Sequence, residues 1–501
     1  MIRYNTPLLM VLIFLLLTLG VGLYVSQRAT TFRAYAVGNK RLHTTTLVLT
    51  VLATVFGGGS LMQTVSKVHI IGLYYIVVIF SIPLGLWINS LLVLRMEPFM
   101  AHLSIAETLG SVYGRYTRVI AALLGICYSI GMVAIQINVM SSAIGMCIHL
   151  IDPRIVTVLA TLILIAYAMV GGIRSITITD IWQFATFTII IPLLIKFVFI
   201  KADQSFLEVI WTIKKQEKFQ FSSLFQWNKE QPLKLIWDSL VLACFLDPSV
   251  VQRIYMASSP IQAYKVFCRV TLFSFIIIGC IVSIGLLAFV GNPMLPATTI
   301  WPYILADMPP VYKGCVVLSL LGMAMSSADS NLHTTAIMVS HDIVESIRGI
   351  KTIPYVHQLR LAKLTTLVTG LLAMIITVYY SDLLQLSKFV FTSNMTFFKI
   401  IIIPPFSLAV FGFRGSARTV LIGMTIGILT ALTLGKWLKL TIGGIGWGLL
   451  PMVANGLAMM AAHYLLPQPA DKGWIGKNHQ QKRIQQLIRA FKKYKKSIDL
   501  E

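Results

Sequence analysis

Residues 324–333 read AMSSADSNLH, and six of these ten side chains are polar: Ser326, Ser327, Asp329, Ser330, Asn331 and His333. The stretch lies inside an apolar run, with CVVLSLLGM (315–323) before it and AIMV (336–339) after it. On a helix, Ser326, Asp329, Ser330 and His333 fall at i, i+3, i+4 and i+7, which is one face, and Ser327 is one step around. An ionisable residue inside a membrane span costs about 3 kcal/mol or more and faces a wet interior or a partner. Asp329 and His333 stand four residues apart and can partner each other. Hydroxyl and carbonyl oxygens suit a hard cation such as sodium.

The membrane reading of the flanking residues follows from composition. Apolar residues are 57% of the chain and charged residues 12%, about half the charged share of a soluble domain. A helix needs about 20 apolar residues to cross a bilayer core. Thirteen segments meet that need, at about 7–26, 46–66, 70–94, 118–148, 155–173, 178–200, 232–250, 266–290, 312–340, 362–380, 384–411, 418–435 and 443–466. The expected fold is an all-α polytopic membrane protein. The first segment reads as a retained helix rather than a cleaved leader, because no small-residue cleavage site stands out.

With the N-terminus outside, most of the 41 Lys and Arg residues fall in inner loops and the tail, among them Arg28, Arg33, Lys40, Arg115, Arg118, Arg253, Lys265 and Arg360. Positive loops stay cytoplasmic. The expectation is an inner (plasma) membrane protein with the N-terminus outside and the C-terminus inside. The net charge of +23 is mostly this topology signal, and no separate basic domain speaks for nucleic acid. The six cysteines are scattered without a C-x-x-C and read as small buried hydrophobes. In the tail, Ile484, Leu487, Ile488, Phe491 and Ile498 recur at helical spacing opposite lysines. That pattern suits an amphipathic helix on anionic lipid, or a solvated basic tail.

Two further stretches break the apolar pattern. VLATVFGGGSLMQ (51–63) puts Gly57, Gly58 and Gly59 near mid-span. Each glycine weakens a helix by about 1 kcal/mol against alanine. An unwound stretch frees backbone groups that lipid cannot satisfy, so it must line a cavity; the alternative is close helix packing through small residues. GGIRSITITDIWQF (171–184) ends one helix and begins another, with Asp180 near the new start, where a carboxylate suits the helix dipole as a cap. No paired carboxylates at glycosidase spacing, zinc-ligand cluster or nucleotide-binding glycine loop occurs. The chain reads as a conductor of solutes and ions, not an enzyme.

These residues carry a resemblance. AVGNKRLHTTTLVLTVLATVFGGGSLM (36–62), GGIRSITITDIWQF with its T-D-x-x-Q, DPSVVQRIYMASSPIQAYK (247–265) with its V-Q-R, and SLLGMAMSSADSNLHTTAIMVSHDI (319–343) resemble, in order, motifs of the sodium:solute symporter family. AETLGSVYGRY (106–116) and PPFSLAVFGFRGSARTVLIG (404–423) support it. The resemblance implies a five-plus-five inverted-repeat core with broken helices, with substrate and ion meeting near mid-membrane. The expected division is a peripheral first helix and cytoplasmic loop (1–45), a first repeat (46–200), an outer loop (201–231), a second repeat (232–411), peripheral helices (412–466) and the basic tail (467–501).

By matching positions, the resemblance implies sodium ligands at the carbonyls of Ala53, Phe56 and Met323 and the hydroxyls of Ser326 and Ser327, with Asp180 on the ion's inward path. Asp329 and His333 form a candidate proton-linked pair, since histidine changes charge near neutral pH; the alternative is a pair that only orients the helix. Candidate substrate-binding residues are Gly57, Gly58, Gly59, Ser60, Gln63, Gln136, Ala243, Phe245, Thr392 and Ser393. For Gln136 the alternative is a helix-packing hydrogen bond. Sugar-carrying members have asparagines and a tyrosine on the second repeat's first helix, where this chain has Leu240, Leu242 and Ala243. Proline carriers have an acid where this chain has Val55. The expected function is sodium-coupled symport of a small organic solute (an amino acid, a carboxylate or a vitamin-like carboxylate) by alternating access. No cofactor is implied beyond the coupling ion, and the partners are sodium, the solute and membrane lipid. A proton-coupled or uncoupled transporter and a transporter-like sensor module are the rivals.

Overall fold

A computed structural model describes residues 5–25, 31–147, 152–224, 239–240, 243, 246–348, 354–436, 449–469, 472–475 and 485. Among these, eight helices are long and apolar enough to cross a membrane. The pair Thr44–Val55 and Gly58–Ile71, bent by 54° at its break, makes a ninth. Pro153–Ala166, Thr396–Phe411 and Leu449–Leu465 are shorter apolar helices. Of the expected segment 232–250, residues 239–240, 243 and 246–250 are described, while the amphipathic tail pattern (Ile484, Leu487, Ile488, Phe491 and Ile498) and Phe245 lie outside the described residues. The exposed large side chains, such as Leu16, Ile189, Leu272 and Leu457, are the apolar surface that such spans turn to lipid.

Six helices build the site: the broken pair, the long helices Arg115–Gly145 and Ile173–Ala202, the short helix Pro248–Met256 and the serine-bearing helix Pro310–Ile337. The serine helix holds all of residues 324–333, and every one of the ten is buried. A π-helical stretch, Met338–Ile343, continues it. A second, Val390–Met395, joins Leu383–Phe389 to Thr396–Phe411. Such stretches re-aim side chains and occur often at functional sites.

The glycine triplet divides its labour. Only Phe56 (φ −96°, ψ 78°) and Gly57 (φ −79°, ψ 161°) leave helical geometry, while Gly58 and Gly59 begin the next helix. The expected three-residue unwinding is therefore shorter, because Gly58 and Gly59 serve packing instead. A Cβ on Gly58 would lie 2.8 Å from Val139 Cγ1 and 2.9 Å from the Leu320 carbonyl, and one on Gly59 would lie 2.5 Å from Ile135 Cγ2. Both readings of the triplet hold, each at its own residues.

Two expectations are corrected. Asp180 is no cap: the helix Ile173–Ala202 begins after Gly172, which places Asp180 two turns inside it and fully buried. Arg253 is no loop cation: it lies in Pro248–Met256 and is buried, stabilised there by an acid that a loop position would lack. Between the first helix, Thr6–Val25, and Thr44 lies a further short helix, Phe32–Val37, whose Tyr35, Ala36 and Val37 are buried beneath the site.

Candidate functional site

The break in the first core helix frees carbonyls that its last turn would otherwise use internally. The serine helix lies against it. Ser326 Oγ donates to the Ala53 carbonyl at 2.9 Å and is 3.1 Å from the Met323 carbonyl. Ser327 Oγ lies 3.1 Å from the Thr54 carbonyl and 3.3 Å from that of Ala53. Phe56 is buried at the break itself. Two hydroxyls and three carbonyls thus form a compact cluster of oxygens with no formal charge. A hydroxyl keeps two acceptor lone pairs whichever way its proton points, so the same oxygens can turn to a cation. Four of the five sequence-predicted ion ligands meet in this cluster, and Phe56 adjoins it.

Gly57 closes the gap between this cluster and the next helix. A Cβ there would stand 2.7 Å from both Ser327 Oγ and Gln136 Nε2. Gln136 Oε1 accepts from the Gly59 N–H at 3.2 Å. It therefore satisfies an amide at the start of the second half-helix, which is the packing role weighed for it above. Gln63 Nε2 donates to Ser387 Oγ at 2.5 Å. One turn further along that helix, the Lys67 ammonium lies 5.2 Å from the ring centroid of Tyr75 and 6.0 Å from that of Phe391. Ser60 is half-buried next to the glycines. Ala243 lies elsewhere, backbone against Gly85, where a Cβ would come within 2.0 Å of its carbonyl oxygen. The backbones of Thr392 and Ser393 belong to the π-helical stretch, and their side chains are outside the described residues.

Below the neutral cluster lies a charged one. Asp180 Oδ2 accepts from Thr50 Oγ1 and pairs with Arg253 Nη2 at 3.5 Å. The same Nη2 donates to Ser330 Oγ at 2.6 Å, and Ser330 Oγ is 3.2 Å from Thr54 Oγ1. Asp329 is buried within the field of this guanidinium. Thr334 donates to Gln252 at 2.7 Å, and Gln252 donates to the Ala36 carbonyl at 3.1 Å. His333 Nε2 stands 3.2 Å from the Ala36 carbonyl, with its ring 4.9 Å from that of Tyr35. These contacts tie the serine helix to the loop helix Phe32–Val37.

Arg253 is the residue that sequence reasoning missed. It was counted for topology, and its place in V-Q-R was given no task. The usable signal was an arginine on the apolar segment VVQRIY, five residues after the helix start at Pro248. An arginine so placed requires a buried partner.

The family model of the sodium:solute symporter family matches residues 35–427. A sodium/sialic acid symporter, SiaT of Proteus mirabilis, is 24% identical over 444 residues, covering 84% of this chain and 87% of its own length. A second, NanT of Aliivibrio fischeri, is 22% identical over 453 residues, covering 83% and 84%. Among solved structures, a Na+-coupled sialic acid symporter in a substrate-bound outward-open state superposes with a TM-score of 0.78 at 21% identity, covering 93% of this chain and 98% of that one. A nucleobase-cation-symport-1 family transporter in a closed conformation gives 0.59 at 11% identity, covering 89% and 98%. These likenesses show that the chain shares the fold of both transporters. The chain belongs to the sodium:solute symporter family, and it is a multi-pass membrane transporter, not an enzyme, that couples the movement of a small organic solute to sodium.

Proposed function

We propose that this symporter carries a carboxylate-bearing solute of the acidic-sugar kind, with sodium held by Ala53, Phe56, Met323, Ser326 and Ser327. The observation that carries the ion site is the approach of both serine hydroxyls to the carbonyls of Ala53 and Met323 beside the helix break. Two relatives named for sialic acid, each matched over more than four fifths of this chain, support the solute class. Sialic acid is both a carboxylate and a sugar, so it fits the carboxylate expectation, and a neutral hexose does not. The solute site lies between the glycines Gly57–Gly59, Ser60, Gln63 and the last core helix with Thr392 and Ser393.

Asp180 stands on the ion's inward route, with Arg253 as its counter-charge. The two repeats are 46–200 and 232–411, which rock about the ion site. The N-terminus lies outside, in the inner membrane, and the C-terminus on the cytoplasmic side. Moving Arg253 from loop to interior leaves the positive-inside bias on the same side.

The test is thermal unfolding of the purified protein in sodium, lithium, potassium and choline chlorides at matched ionic strength, repeated with Ser326→Ala/Ser327→Ala. The expected result is a sodium-selective rise that the double variant loses. Equal unfolding in all four salts overturns the ion site. Counter-transport of N-acetylneuraminate in proteoliposomes tests the solute.

A further inference from the structure

We infer that a cavity at one end of the bundle is a second binding site for the acidic solute, with Lys313 and Arg154 receiving its carboxylate and a polar floor receiving its hydroxyls. This rests on the reading of the solute as a sugar acid. The cavity lies where helix Arg115–Gly145 ends and helices Pro153–Val170 and Pro310–Ile337 begin, with the end of Tyr355–Tyr379 as a further wall. Its volume is about 1270 Å³. Ligand pockets run from roughly 300 to 1,000 Å³, so a sugar acid fits.

Burial orders the lining by depth. Asn138, Thr157 and Thr377 are buried and form the floor, Lys313 and Ser142 are half-buried, and Arg154 and Asp152 are exposed at the rim. The floor offers acceptors. Thr157 Oγ1 donates to the Pro153 carbonyl at 2.9 Å, and Thr377 Oγ1 to that of Ala134 at 2.9 Å. Each hydroxyl oxygen keeps lone pairs for a donor. Asn138 Nδ2 donates to the Ser381 carbonyl at 2.8 Å, while its Oδ1 is buried without a hydrogen-bond partner among the described residues. A buried acceptor left unpaired is costly, and a solute hydroxyl at the floor satisfies it. The rim is cationic. Two basic side chains stand there against one acid, and Asp152 already accepts from the Arg154 amide at 2.8 Å as a helix cap. Neither the Lys313 nor the Arg154 side chain has an ion-pair partner among the described residues. Both stand in the opening turn of their helices, where the dipole also favours an anion.

The cavity is separate from the ion site and yet tied to it. Ile135, Gln136 and Val139 turn to the glycine triplet. Asn138, Ser142 and Gly145, at i, i+4 and i+7, form another face of the same helix. Two elements at the cavity reach the half-helix Gly58–Ile71. The short helix Ile300–Leu305 lines the cavity with Pro302 and Leu305, and its Trp301 Nε1 donates to the Met62 carbonyl at 3.2 Å. Ser381, held by Asn138, leads into Leu383–Phe389, whose Ser387 accepts from Gln63. A solute in the cavity therefore sits beside the two elements that hold the broken span.

The experiment titrates the full chain in detergent with N-acetylneuraminate and with its methyl ester, by calorimetry, in sodium and in potassium chloride. Wild type should bind two acids per chain in sodium and one in potassium, because the cavity contains none of the sodium ligands. The potassium-resistant binding should weaken roughly tenfold or more for the ester and for Lys313→Gln/Arg154→Gln, the effect of losing charge-assisted hydrogen bonds. Lys313→Arg should retain it, and Ser142→Trp, whose ring fills the cavity, should lose it. The sodium-dependent binding should persist in all of these variants, which also reports that they are folded. One acid per chain, bound only in sodium, overturns the second site and leaves the solute class standing. Potassium-resistant binding that survives in both Lys313→Gln/Arg154→Gln and Ser142→Trp overturns the second site as well. No binding in either salt, by a wild type that still shows its sodium shift in unfolding, overturns the solute class and this site together.

Discussion

Two polar regions lie one turn apart on the serine helix, and they are built on opposite principles. The upper one, Ser326 and Ser327 on the carbonyls of Ala53, Thr54 and Met323, contains only neutral oxygens. The lower one, Asp180, Arg253, Asp329 and Ser330, contains formal charges in the interior of the bundle. A neutral oxygen cage holds a monovalent ion without a carboxylate's strong grip, which suits an ion that must leave again. The charged region is pre-paired, because an isolated ion there costs several kcal/mol. Its guanidinium also joins three helices, the acid helix Ile173–Ala202, the serine helix and Pro248–Met256. The upper region reads as the ion's resting place and the lower one as the fixed charge beneath it.

The largest effect should come from breaking the lower region on one side only. Arg253→Met leaves Asp180 buried without its cation, and stability should fall by about 3–5 kcal/mol. Asp180→Asn added to Arg253→Met should recover much of that loss in thermal unfolding. A double variant no more stable than Arg253→Met would remove the pairing from the account. In the upper region, Ser326→Ala/Ser327→Ala should cost little in potassium yet forfeit the sodium-dependent gain, about 2.7 kcal/mol at a hundred times the dissociation constant. Gly57→Ala lies between the two in kind. Its backbone is extended and tolerates alanine, but the new Cβ meets Ser327 and Gln136 at 2.7 Å. Overpacking of this sort costs about 1–3 kcal/mol, and sodium affinity should drop with it.

The smallest effect belongs to a third cluster, around Arg118 and His341. There Arg118 pairs with Asp342 at 2.8 Å and Glu345 at 3.2 Å, while His341 bridges Glu345 at 2.9 Å and Glu107 at 3.2 Å. Burial pushes the Glu107 carboxyl up, but the hydrogen bond and charge of His341 and the Leu103 amide outweigh it and hold it below the usual carboxylate range. A lowered folded-state value means stability that is present above the unfolded pKa and is lost as pH falls through the folded one. Glu107→Gln should therefore cost about 1 kcal/mol or less near neutrality, and the difference from wild type should shrink as unfolding is followed below about pH 4. A difference that grows on acidification would contradict the pairing.

The contrast also marks where sequence reading stops. The serines, the glycine triplet and the acid of T-D were legible because each breaks an apolar run, and polar residues in lipid need a reason. Arg253 was not legible in the same way. Its segment, VVQRIY, reads equally as the end of a span or the start of an inner loop. His333 was matched to Asp329 by its spacing, but the structure turns it to Ala36, a backbone carbonyl about three hundred residues away in sequence.

Local chemistry was enough to establish a bundle of apolar helices, a break at the glycines and a hydroxyl-lined face on the serine helix. These follow from helix periodicity, from glycine's weakness in helices and from the cost of polar groups in hydrocarbon. Tertiary packing decided that two residues unwind rather than three, that Gln136 caps a freed amide and that Asp180 is a buried partner of Arg253 instead of a helix cap. Each of these depends on which group from a distant helix arrives within about 3 Å, the range of a hydrogen bond. The period of a single helix carries no information about that arrival.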